Sequence, residues 1–283
     1  MAIQFIIDSA ADIIPSEARS LGLLHIPMKV MFGDSEYSDS VDLTHKEFYE
    51  KLIESDALPT TSQINPATYE QMFRSVAEAG DTAVVITISG KLSGTYQSAM
   101  IAAEDYEDCI YVVDSETVCV GERILIMRGL ELRSQGLSAA EIKAQLDQEK
   151  QHIRVLALLD TLEYLKKGGR ISSAVALASN ILSIKPVIAI EDGEVSLVGK
   201  ARGSKKGNNL LRELVEKCGG INYEKPYALA YSGLSDHLLR KYIEDSTELW
   251  NTHTESLPIS TVGCTIGTHA GPGAIAVAFF EHS

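Results

Sequence analysis

The sequence predicts an α/β protein built from two α/β domains, residues 1–155 and residues 156–283. Three observations predict it. The first half alternates short apolar runs with amphipathic segments, the pattern of a mostly parallel sheet with helices on both faces. The second half contains a hairpin signal, Asp192-Gly193 between two apolar runs, so its sheet is mixed. The 283 residues, 45% hydrophobic and 23% charged, are enough for a sizeable core in one large domain or two smaller ones.

The elements follow in order. "AIQFII" is a buried strand ending at Asp8, and "HIPMKVMF" (25–32) a second strand. Thr44 and Glu47 form a capping-box pair that opens a helix through about Ser55. Asn65 and Pro66 serve as cap and first helical residue of the next helix, which Gly80 closes. Strands are predicted at 82–88 and 110–114, with helices from near Thr95 and from about Glu116 to Ser134. Ser138 and Glu141 cap a further helix to about His152. Beyond it come a strand at 154–160, a short helix stopped by Gly168-Gly169, and a helical "SSAVALASNIL". "IKPVIAI" and "EVSLVGK" are the hairpin strands. Helices at 204–217 and 235–248 and strands at 227–232, 256–262 and 274–280 complete the chain.

The net charge is −14, a field that opposes nucleic-acid binding. The charge is uneven. The stretch Lys166–Lys206 holds eight basic and three acidic residues, a net +5 that leaves −19 for the rest. Such a segment suits a phosphate or an acidic partner, or is a set of solvated lysines. Cys109, Cys119, Cys218 and Cys264 show no zinc spacing and read as reduced structural thiols. The N-terminus lacks a basic n-region and no apolar run reaches membrane length, so a cytoplasmic protein is expected.

Four loops sit at strand ends, where open α/β sheets bind ligands. "DSAAD" (8–12) offers a possible metal ligand in Asp8 or simply a turn. "PTTSQINP" (59–66) is a rigid loop or an array of neutral donors. "ISGKLSGTYQSA" (88–99) puts Ser93-Gly94-Thr95 where a helix starts, which suits an anion, with Ser93 equally readable as an N-cap. It is neither a P-loop nor a nucleophile elbow. "VGCTIGTHAGPGAIAVAF" (262–279) holds His269 among glycines and threonines, between two strands. These loops supply hydroxyls, amides and one histidine but few carboxylates, which argues against a metal site and against paired-carboxylate chemistry. A small carboxylate or phosphate is the ligand they suit.

Five of these stretches, "ISGKLSGTYQSA", "TLEYLKKGGRIS", "LSIKPVIAIEDGEV", "KARGSKKG" and "GCTIGTHAGPGAIAVAF", resemble the DegV family. These are fatty-acid-binding proteins that act as the acyl-carrying subunit of bacterial fatty acid kinase. The resemblance runs from Asp8 to Phe279. It implies one long-chain fatty acid buried between two domains, with its carboxylate near Thr61, Ser62, Ser93, Gly94, Thr95 and His269. It implies Arg170 and Arg202 at the mouth or on the partner-docking face. It implies an ATP-binding kinase subunit as partner, no cofactor, no metal and no catalysis by this chain alone; transient membrane contact fits such a role. The chain departs from the pattern at Ala10, at Lys91, and in "TSQINP", which weakens the carry-over of Gln63.

The physics allows this ligand. Burying about 14 methylenes at about 0.8 kcal/mol each gives about 11 kcal/mol before association costs. "AVALASNILSIKPVIAI" is a candidate tunnel wall or plain core. Two other readings stay open from the residues: a sensor of a phosphorylated metabolite using the same anion cradle, and an acyl-ester hydrolase. The hydrolase needs a nucleophile–base pair and a third orienting group, and the sequence names no third member.

Overall fold

The computed structural model describes residues 2–55, 57–171, 184–250 and 256–282. Strands β1 (Ile3–Asp8), β2 (Leu23–Ile26), β6 (Thr82–Thr87) and β7 (Ile110–Asp114) form a parallel sheet in the order β2-β1-β6-β7. Strands β3 (Lys29–Phe32), β4 (Ser35–Ser38) and β5 (Thr60–Ser62) form a small antiparallel sheet, β4-β3-β5. Strands β8 (Ile153–Leu158), β9 (Ile184–Glu191), β10 (Glu194–Arg202), β11 (Tyr227–Tyr231), β12 (Ile259–Thr261) and β13 (Ile275–Phe280) form a mixed sheet, β10-β9-β8-β13-β11-β12.

Side-chain alternation explains the layering. On β1, Ile6 faces helices Pro66–Glu78 and Thr95–Ala103, packing with Tyr69, Phe73 and Ala99. Its neighbours Phe5 and Ile7 face the other way, toward Ile124 and Ile142 of helices Val120–Ser134 and Ala139–Glu149. The parallel sheet is thus covered on both faces, as its near-continuous apolar strands require.

The mixed sheet splits in the same way. Leu156, Val277 and Phe279 pack under Leu211 of helix Ser204–Lys217 and Tyr242 of helix His237–Asp245. Val155, Ala157, Ala276 and Ala278 face inward, onto the cluster that contains helix Val120–Ser134. That helix therefore lies between the two large sheets. Its apolar residues are spread around the axis, because both sides are covered.

The Asp192-Gly193 turn forms as expected. Both residues have positive φ, +49° and +79°, and Glu191 pairs with Glu194 across it. Both predicted capping boxes are present. Three expectations are corrected. The strand predicted at 25–32 is two strands in different sheets, since the backbone leaves the first at Pro27. The helix predicted at 235–248 is two helices, His237–Asp245 and Thr247–Trp250, broken at Ser246. The stretch around His269 is helical from Cys264 to Ala270. The helix predicted over "SSAVALASNIL" lies outside the described residues.

Candidate functional site

A cavity of about 360 Å³ lies beyond the carboxyl ends of β1 and β6, against the inner face of the mixed sheet. Its walls are mostly apolar. Ile88 and Val118 come from one side; Val155, Ala157, Ile188 and Ala276 come from the other. The alanines on β8 and β13 leave space that larger side chains would fill. Val155 and Ala157 of β8, with Leu159 just past its end, line the cavity in alternation, a run of about 13 Å at ~3.3 Å per residue. Of the predicted wall segment, Ile188, Ala189 and Ile190 line the cavity, and residues 174–183 lie outside the described residues.

Polar groups gather on one part of this lining. His269 sits in the last turn of helix Cys264–Ala270, and its Nε2 lies 3.0 Å from Thr61 Oγ1. Thr61 is held by β5, opposite Val30 of β3. Behind the imidazole is Gly168, where a Cβ would overlap the ring; only glycine leaves room for the histidine. Two residues on, Arg170 lines the cavity, donating from Nε to Leu92 O at 3.1 Å and from Nη1 to Gly168 O at 2.7 Å. Burial, with Arg170 nearby, pushes His269 down to about 4. The imidazole is therefore neutral at pH 7, and Arg170 is the fixed cation of the group.

Ser93 and Gly94 line the same cavity, as does Ser62, which is exposed. Gly94 occupies the cap position of helix Thr95–Ala103, so Ser93 is not the N-cap residue. The Ser93 hydroxyl accepts from Thr95 N at 3.3 Å and shares a hydrogen bond with Thr95 Oγ1 at 2.9 Å. Thr95 itself is fully buried and accepts from Ile64 N, so it braces the loop and is absent from the cavity wall. Gln63 packs over Gly94 and donates to Ser98 Oγ at 3.0 Å. It lines the cavity, as the neutral-donor reading of its loop expects.

The remaining predicted residues fall elsewhere. Arg202 is exposed at the end of β10 and does not line the cavity. Lys91 is also exposed, with Glu116 among the groups that feel its charge. Asp8 is a turn former, accepting from Ala10 N and Ile88 N at 2.9 Å each. Cys264 is buried, its thiol pushed up by burial and donating to Leu43 O. Among the described residues no group of three or more His, Cys, Asp or Glu side chains is placed to hold a metal ion. No described helix is long and apolar enough to cross a membrane.

The arrangement can hold a carboxylate with hydroxyls, an imidazole and a guanidinium, and can hold an apolar tail behind it. A hydrolase pair is not formed. Ser93 bonds Thr95, His269 bonds Thr61, and the buried His269 Nδ1 has no hydrogen-bond partner among the described residues.

A DegV-domain protein of Caldanaerobacter subterraneus is 32% identical over 280 residues, covering 99% of this chain and 98% of the relative. A DegV family protein from Thermus thermophilus, described with fatty acid binding, superposes with a TM-score of 0.86 at 29% identity, over 100% of both chains. A stearic acid-binding protein from Eubacterium ventriosum superposes with a TM-score of 0.88 at 28% identity, over 99% of this chain and 98% of that one. The model of the DegV family, described as uncharacterised proteins, matches residues 2–282, and this chain belongs to the DegV family.

Proposed function

We propose that the chain binds one long-chain fatty acid in the 360 Å³ cavity and presents its carboxylate to a separate ATP-dependent kinase subunit, which converts it to acyl phosphate. One observation carries the reading: an apolar cavity with its hydroxyls, His269 and Arg170 close together on its wall. The tail supplies the binding energy and the polar group fixes the end that reacts. Thr61, Ser62, Ser93, Gly94 and His269 hold the carboxylate, Thr95 supports Ser93, and Arg170 neutralises it.

In this reading residues 1–155 and 156–283 are two domains with the ligand between them. The chain carries substrate and leaves chemistry to the partner's ATP and metal. It works in the cytoplasm, where it exchanges fatty acid with membrane phospholipid metabolism. Arg202, exposed on β10, belongs to the face that meets the kinase. The phosphorylated-metabolite reading is less favoured, because the walls are mainly apolar.

The test combines the chain, palmitate, ATP and the kinase subunit, with acyl phosphate trapped by hydroxylamine. Ser93→Ala and His269→Ala each lower product roughly a hundredfold while thermal unfolding stays near wild type. Undiminished turnover in both variants would remove these residues from the site.

A further inference from the structure

Helix Cys264–Ala270 begins without a cap of its own, since Gly263 holds the cap position and has no side chain. Its first amides are taken by a residue more than 220 positions away. Asp39, fully buried, accepts from Cys264 N at 3.1 Å through Oδ1 and from Thr265 N at 2.9 Å through Oδ2. The same oxygens accept from Ser40 Oγ at 3.0 Å and Ser9 Oγ at 3.2 Å. Gly263 N goes to Asp12 Oδ1 at 2.8 Å. Four donors converge on one carboxylate, which also offers negative charge to the helix N-terminus.

We propose that Asp39 is a positioning residue for the carboxylate site, fixing the pose of the helix so that His269 meets Thr61. This rests on the fatty-acid reading above. The helix is only seven residues long, so His269 stands about 6 Å along the axis from Thr265. A tilt at the Asp39 end moves the imidazole. The 3.0 Å contact to Thr61 has little slack, and a shift near 1 Å breaks it. An amide cannot replace the carboxylate, because both Asp39 oxygens face N–H donors and an NH₂ would meet one of them.

The test uses Asp39→Asn with two probes, palmitate and the uncharged hexadecanol. Palmitate affinity falls about tenfold, as for loss of a charge-assisted contact, while hexadecanol affinity holds. The NMR titration midpoint of His269 rises as the ring leaves its buried seat, and Asp39→Asn adds nothing to palmitate binding in a His269→Ala background. Unchanged palmitate affinity in the folded variant, or equal losses for both probes, would overturn the proposal. If Asp39→Asn does not fold, Ser40→Ala removes one donor to Asp39. Palmitate then weakens two- to threefold and hexadecanol does not; equal effects overturn it. A wild-type protein that takes neither probe contradicts the fatty-acid reading, and the His269 midpoint still decides whether Asp39 places the ring.

Discussion

At the scale of single residues, the site depends on space as much as on hydrogen bonds. Gly168 has an ordinary backbone conformation, with φ of −75°, so freedom of rotation is not its reason. Its role is to leave the volume that His269 occupies. Gly168→Ala should displace the imidazole and weaken fatty acid binding about tenfold in a fluorescence displacement assay, with overpacking costing about 1–3 kcal/mol. Arg170→Gln should raise the His269 midpoint above about 4, since Arg170 is one cause of its depression, and should weaken palmitate binding more than hexadecanol binding. NMR titration and calorimetry check the two halves. His269 and Ser93 were legible because a histidine among glycines and a serine before a helix each have a chemical reading. Asp39 was not: nothing near it in sequence reports bonds to amides at 264 and 265.

At the scale of elements, local signals were read correctly where they are local in physics. The capping boxes, the Asn65 cap with Pro66 and the positive-φ turn at Asp192-Gly193 each depend on two to four neighbouring residues. The three-stranded sheet was missed because its strands have three or four residues, too short for alternation to show. The His269 helix was missed because Gly263, Gly267 and Gly271 look like a loop. Gly267 is there because a Cβ would overlap Phe48 and Tyr49 of the helix it packs on. The helix between the sheets has a similar constraint at Gly121, whose missing side chain admits Val155 and Thr117. Gly121→Ala should lower stability by about 1–3 kcal/mol in chemical denaturation, despite alanine's better helix propensity.

At the scale of the molecule, buried ionisable groups set opposing pH dependences. Burial pushes Asp8 up to about 6 and Asp12 up to about 8, and holds Glu122, which has no hydrogen-bond partner among the described residues, well above the carboxylate range. Raised acids contribute stability below their unfolded values that is lost as pH rises through the folded values. His269, lowered to about 4, contributes above its unfolded value of about 6.5 and loses that contribution as pH falls toward 4. Above pH 6.5 the histidine no longer titrates, so the melting temperature should fall between pH 6.5 and 8.5. Asp12→Asn, which mimics the protonated acid and keeps an acceptor for Gly263 N, should flatten that slope in pH-resolved thermal unfolding.

The two large sheets were legible from the order of apolar runs, while the size of the space between them was not. That space follows from alanines at 157, 274 and 276, which in sequence look like any small core residues. We propose that it holds a fatty acid. The most direct test is native mass spectrometry of the purified chain, with the solvent extract weighed separately. The expected result is one long-chain fatty acid per chain, replaced mole for mole by added palmitate. A chain that carries no lipid and takes up none would contradict it.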